Sequence, residues 1–202
     1  MTAVETPHGA ARVHLRRVDG SRGALVLGHG AAGGVTAPDL QAAAEAACTA
    51  GFSVALVEQP YRVAGKRAPA PARQLDAAWI AAVAHLREKA FAGLGLVVGG
   101  RSLGARVACR TAGETGAEAV LCLAFPLEPP RRASGASPSR LPELDAVELP
   151  TLVVQGARDR FGIPPGGPRR TVVVVSGDHS LRTDLEAVAA AVKDWLPAVA
   201  ST

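Results

Sequence analysis

Gly100-Arg101-Ser102-Leu103-Gly104 sets a serine between two glycines, directly after the apolar run LGLVVGG (94–100) and at the head of a helix-like stretch. A serine hydroxyl is a poor nucleophile near neutral pH unless a base takes its proton and a third group orients that base. Glycines on either side permit a tight strand-to-helix turn that lifts the hydroxyl above the strand end, at the positive helix N-terminus. Alone the pattern is weak, because a Gly-rich turn with a capping serine reads the same way. A base and an acid at the proper places downstream would separate the two.

Five histidines compete for the base. His8 lies near the N-terminus, His14 on a short alternating segment, His85 inside a helix and His29 in the loop after an early strand. Only His179 follows the last apolar run, at the edge where a parallel sheet presents its functional loops. An exposed loop histidine is the plain alternative. Asp159, in QGARDRFG, follows another strand to the same edge and would fix the imidazole tautomer. Asp178 is its rival, although neighbouring side chains on one turn usually point apart. An oxyanion hole needs two backbone N–H donors. Leu103, next after the serine, supplies one; Ala31 in Gly28-His29-Gly30-Ala31-Ala32-Gly33-Gly34 is the expected second. That glycine-rich loop is read as an oxyanion loop rather than a phosphate cradle, and no metal or organic cofactor is expected.

The elements that must carry these residues alternate between short apolar runs and longer helical patterns, as in a parallel sheet covered by helices. The strands are ALVLGHG (24–30, running into its loop), FSVALVEQ (52–59), 94–100, AVLCLAF (119–125), TLVVQG (151–156) and TVVVV (171–175). Helices are predicted over 38–50, 73–90, from Ser102 to a stop at Gly113, and over 181–196. ARVHLRRV (11–18) alternates and is expected as an antiparallel edge strand; 60–72 and 126–149 read as loops.

The 202 residues are 48% hydrophobic and 20% charged, ordinary for one globular domain, expected here over 1–202. Aromatics make up only 3%, too few for a base-stacking surface. The net charge of +4 is spread over scattered pairs, Arg16–Arg17, Arg131–Arg132 and Arg169–Arg170, so no nucleic-acid partner is expected. The odd set Cys48, Cys109 and Cys122 lacks metal-ligand spacing and reads as reduced, buried thiols. With no signal peptide in MTAVETPHGAARVHLRR and no membrane-length apolar run, the expected location is cytoplasmic.

Taken together these residues resemble a known group: small bacterial α/β-hydrolases related to dienelactone hydrolase and to the testis-expressed hydrolase-like proteins. The match runs through GHGAAGG (28–34), PYRVAGKR (60–67), GGRSLGAR (99–106), FPLEPP (125–130), PTLVVQGARDRFG (150–162) and GDHS (177–180). The resemblance implies the α/β-hydrolase fold, a mostly parallel central sheet with helices on both faces, in a minimal form without a cap domain. It carries the nucleophile onto Ser102, the acid onto Asp159 and the base onto His179, in the chain order Ser, Asp, His. Dienelactone hydrolase itself uses a cysteine nucleophile, so its substrate is not carried over. Arg160 stands where the acid loop often has proline, and FGIPPGGPRR (161–170) is too rich in proline and glycine for the usual covering helix. The shortened crossover predicts looser support for Asp159.

The reading that follows is a serine hydrolase, a carboxylesterase or thioesterase working through an acyl-serine intermediate. The alternative is a non-catalytic hydrolase-fold binding or scaffold protein. Arg62, Lys66, Arg67 and Arg73, with Arg158, Arg160, Arg169 and Arg170, predict a cationic rim. Arg62, Arg67 and Arg160 are its candidate substrate contacts, and the substrate would be a small anionic acyl compound, including carrier- or CoA-linked thioesters. Arginines kept for solubility are the plain alternative, and Glu128, Glu143, Asp145 and Glu148 offset the charge.

Overall fold

The computed structural model describes residues 1–129 and 138–199; Arg131, Arg132 and Pro130 of the motifs above lie outside them. In chain order the elements are β1 (Thr2–Val4), β2 (Ala11–Arg16), β3 (Gly23–Gly28), α1 (Pro38–Thr49), β4 (Phe52–Glu58), α2 (Pro60–Val63) and α3 (Ala72–Lys89). They continue with β5 (Leu96–Arg101), α4 (Leu103–Thr115), β6 (Ala119–Leu123), α5 (Leu141–Asp145), β7 (Thr151–Gly156), β8 (Arg170–Val175) and α6 (Leu185–Val199). The strands form one eight-stranded sheet in the order β1-β2-β4-β3-β5-β6-β7-β8, antiparallel at β1 and β2 and parallel from β4 onward.

The central strands are apolar without alternation because both faces are covered. In β3, Ala24 and Val26 pack toward Trp79, Val83 and Leu86 of α3 and Ala105 and Ala108 of α4. Leu25 and Leu27 pack toward Leu40, Ala43 and Ala47 of α1 and Val188, Val192 and Leu196 of α6. Two-sided burial fixes the strand register, since a one-residue slip would exchange the two faces.

Several boundaries differ from the expectation. The alternating strand over 11–18 is antiparallel but is not the edge, because β1 pairs outside it. Helix α4 passes Gly113, which lies on an exposed face, and stops at Gly116 with φ 62. A left-handed residue just past the last turn is the conformation glycine adopts without penalty. Helix α6 begins at Leu185 rather than 181, because Asp184 caps it: its Oδ1 accepts from the Ala187 N–H at 3.0 Å. The loop over 60–72 opens with the short turn of α2, and 126–149 contains α5. Cys109 and Cys122 are buried as expected, whereas Cys48 is half-buried. No helix among the described residues is long and apolar enough to cross a membrane.

Backbone packs closely against backbone where β5 passes into α4. A Cβ on Gly104 would stand 2.3 Å from the Gly28 carbonyl oxygen, and one on Gly100 would stand 2.5 Å from it. Glycine is required at both because the obstruction is backbone, which cannot rotate away. Gly104→Ala is expected to destabilise the protein by about 1–3 kcal/mol. Gly113→Ala, where nothing lies within 4 Å, is expected to stabilise it by about 0.5–1 kcal/mol. Urea unfolding of the two variants should therefore give shifts of opposite sign.

Candidate active site

Ser102 sits between the last residue of β5 and the first of α4, with φ 51 and ψ −105. A non-glycine residue at positive φ is strained and persists only where its surroundings dictate it. Here the Ser102 N–H donates to the Leu123 carbonyl at 2.9 Å, and the Ser102 carbonyl accepts the first helical bond from Arg106. The side chain makes no cap to the helix. Instead Ser102 Oγ lies 2.9 Å from His179 Nε2, and His179 Nδ1 lies 2.8 Å from Asp159 Oδ2. The carboxylate can only accept, so Nδ1 carries the proton and Nε2 is left to accept from the serine hydroxyl. The three candidate residues, from three separate loops, form one hydrogen-bonded chain.

Asp159 is fully buried at its side chain and His179 is 18% exposed. The carboxylate is well supplied with donors: Gln155 Nε2 reaches Oδ2 at 2.7 Å and the Phe161 N–H reaches Oδ1 at 2.9 Å. The segment 161–170 contains no helix, as its composition predicts, yet Asp159 is not left loosely held. The buried Gln155 amide also reaches the carbonyls of Phe125 and Gly162, tying the acid turn to the strand ends beside it. Asp178 is exposed and turned to its own loop, where Oδ1 accepts from the Ser180 N–H and hydroxyl. Those bonds, the Ser180 hydroxyl first, hold its carboxyl below the usual carboxylate range. Phe161 lies edge-on to His179 at 4.5 Å between ring centres, and the Arg160 guanidinium covers the Phe161 ring at 4.8 Å.

His29 has a role the sequence did not announce. Its Nε2 accepts from the Gln59 N–H at 3.1 Å, so Nδ1 carries the proton and donates to the Gly30 carbonyl at 2.9 Å. The Tyr61 hydroxyl donates to the Ala31 carbonyl at 3.2 Å. Because a trans peptide is planar, fixing the Gly30 carbonyl fixes the Ala31 N–H in the opposite direction. The loop approaches the serine: a Cβ on Gly30 would lie 3.7 Å from Ser102 Cβ. Leu103 opens α4, so its N–H has no acceptor within the helix. Gly28, Gly30 and Gly33 also have the G-x-G-x-x-G spacing of a phosphate-binding loop, so spacing alone does not set this loop apart. The difference is that α1 begins only at Pro38, whereas a dinucleotide fingerprint runs straight into its helix.

Arg101, the second residue of the serine motif, also takes part in the site. Its Nε donates to Asp39 Oδ2 at 2.7 Å and its Nη2 to the His179 carbonyl at 3.0 Å. Burial raises the Asp39 carboxyl above its ordinary range, with the Arg101 charge opposing that shift.

The expected cationic rim is only partly present. Arg160 reaches the site through Phe161, and half-buried Arg62 stands near enough to His29 to act on its charge. Arg67 is exposed, and among the described residues no hydrogen bond or ion pair joins it to the site. Arg169 and Arg170 do not belong to the rim. Arg170 pairs in register with Thr151, the first residue of β7, which places both at the opposite edge from Ser102. Arg170 there meets Asp145 at 2.5 Å.

Residues 21–195 match the family described as Alpha/beta hydrolase domain. The chain belongs to that family. No curated protein matches it. Among solved structures, Est1E from Butyrivibrio proteoclasticus, determined with ferulic acid bound, aligns with a TM-score of 0.79 at 16% identity, over 100% of each chain. A lidless α/β serine hydrolase from Xanthomonas campestris aligns at 0.76 and 17% identity, over 98% of this chain and 93% of that one. Dienelactone hydrolase from Anabaena variabilis aligns at 0.76 and 18%, over 98% and 96%. At these identities the structures establish a shared α/β-hydrolase fold.

In this hydrolase-family chain His29 links the site to pH. Burial pushes its imidazole below the ordinary histidine value, against the opposing Gly30 hydrogen bond. Below about 6.5 the unfolded chain takes up a proton that the folded chain refuses. Stability from this group is therefore full above that pH and falls as pH drops toward the depressed folded value, by at most about 1.4 kcal/mol per pH unit. In urea unfolding between pH 7.5 and 5.5, the wild type should lose more stability than His29→Asn. Equal losses would remove His29 as the source.

Proposed function

We propose that this protein is a serine esterase or thioesterase that works through an acyl-Ser102 intermediate. The observation that carries the reading is the unbroken hydrogen-bond chain, Ser102 Oγ to His179 Nε2 at 2.9 Å and His179 Nδ1 to Asp159 Oδ2 at 2.8 Å. Ser102 Oγ attacks the acyl carbon while its proton passes to His179 Nε2, and Asp159 stabilises the imidazolium so formed. The Leu103 and Ala31 N–H groups receive the negative charge that develops on the carbonyl oxygen. The imidazolium then protonates the departing alkoxide or thiolate, leaving Ser102 acylated. A water molecule, deprotonated by His179, attacks the acyl-serine; the acid leaves and the serine recovers its proton.

The substrate reading is a small acyl compound carrying negative charge, an ester that bears a separate carboxylate or a carrier- or CoA-linked thioester. Arg160 at the Phe161–His179 edge and Arg62 near His29 support it. Est1E, which shares the fold, has been determined with ferulic acid bound, and a carboxylic acid is also what the proposed reaction releases. The rival reading, a non-catalytic binding or scaffold module, depended on a poorly assembled acid loop. The Gln155 and Phe161 donors to Asp159 support the catalytic reading over it.

Intact-mass analysis after a fluorophosphonate probe should show one adduct on the wild type and none on Ser102→Ala. Asp159→Asn should react about 10⁴-fold more slowly, through loss of the correct tautomer. A folded wild type that takes up no probe would return the protein to the binding-module class. For the substrate, Arg160→Gln is expected to lower kcat/KM several-fold for an anionic ester and to leave a neutral isostere unchanged. The wild-type preference should also shrink from low to high salt, as an exposed charge contact must; a salt-independent preference rules the rim out.

A further inference from the structure

The geometry points to Arg101 as the residue that sets where His179 stands, a positioning role that rests on the acyl-transfer reading above. Arg101 ends β5 next to Ser102, and its guanidinium lies where three loops meet. Nη2 donates to the His179 backbone carbonyl at 3.0 Å, and Nε donates to Asp39 Oδ2 at 2.7 Å. Asp39 belongs to the first turn of α1 and is 1% exposed at its side chain, so it anchors the guanidinium from a rigid element. The third contact is with the Gly30 loop, where a Cβ would come within 2.7 Å of Arg101 Nη1.

The His179 carbonyl carbon is bonded to the Cα that bears the imidazole, so a shift of that carbonyl moves the ring. The ring has little room to move, since it must meet Ser102 and Asp159 together at 2.9 and 2.8 Å. A planar guanidinium holds its donors at fixed angles to one another, which makes Arg101 a rigid link between the serine turn and the histidine loop. Stability does not account for the pair. A buried ion pair can generally be replaced by apolar side chains at little or no loss of stability. The directional bond to His179 is what such a replacement would remove.

Two variants separate positioning from folding. Arg101→Lys keeps a positive charge for Asp39 but replaces the fork with a single ammonium that cannot serve both acceptors in this geometry. Arg101→Met combined with Asp39→Leu removes both charges and leaves no unpaired buried carboxylate. Both are expected to unfold cooperatively like the wild type, yet to react with a fluorophosphonate about 10²-fold more slowly. In ester hydrolysis the loss should fall on kcat and not on KM. The far-downfield proton resonance of the His179–Asp159 hydrogen bond, followed by NMR in resting protein, should broaden or vanish in both. Wild-type labelling rates with an unchanged resonance in either folded variant would overturn the inference. If the wild type shows the resonance but takes no probe, and Arg101→Lys loses the resonance, the acyl-transfer reading fails while the positioning of His179 by Arg101 stands.

Discussion

Backbone meets backbone where Gly104 and Gly100 press against the carbonyl of Gly28, and that contact leaves α4 a single way of departing from β5. The turn must be completed in one residue, which forces Ser102 to φ 51. A side chain there costs of order 1–3 kcal/mol relative to relaxed backbone. The sheet sustains it, since Ser102 is held by Leu123 on one side and α4 is wedged against the end of β3 on the other. The hydroxyl therefore stands in place before any hydrogen bond to His179 forms. The remaining loops need only come to it, and all of them leave the C-terminal ends of parallel strands, where a parallel sheet collects its connections.

Much of this was legible in the sequence, for a physical reason. A serine flanked by glycines between an apolar strand and a helix has few structural explanations, and His179 and Asp159 both follow later strands to the same edge, with Asp178 the one rival acid. The structure brings those three together. Less legible were the residues that act through long side chains or single backbone bonds. Arg101 reaches 62 positions back to Asp39 and 78 forward to His179, and no local pattern encodes either contact. His29 reads in sequence only as a loop histidine, although its two ring nitrogens fix how the Gly30–Ala31 peptide lies. β1 escaped notice because three residues, Thr-Ala-Val, carry no period.

The misplaced rim arginines have a different cause. Arg169 and Arg170 are close in sequence to Asp159 yet lie at the opposite edge of the sheet. β8 runs parallel to β7, so the segment between them must travel the full length of a strand back to the opposite edge before β8 can begin. Any residue just before a parallel strand lies far from the edge at which that strand ends. The same connection, with the place of β8 at the edge of the sheet, explains why it is less covered than β7 beside it. With no helix in 161–170, Val174 is 49% exposed, while every residue of β7 is buried.

That missing helix changes how the acid is held. In a sheet covered on both faces, a crossover helix would brace the turn after β7 from outside. Here the bracing comes from inside, through the wholly buried Gln155 amide, which reaches the acid, the Phe125 carbonyl and the Gly162 carbonyl. Gln155 belongs to β7 and Phe125 follows β6, so the position of Asp159 is tied to the pairing of two neighbouring strands that are buried at every residue. A carboxylate placed that way needs no external layer. A chain of 202 residues can thus dispense with the crossover helix and still present the acid at 2.8 Å from His179. Economy of chain length and precision at the site conflict only when the loop itself must supply the rigidity.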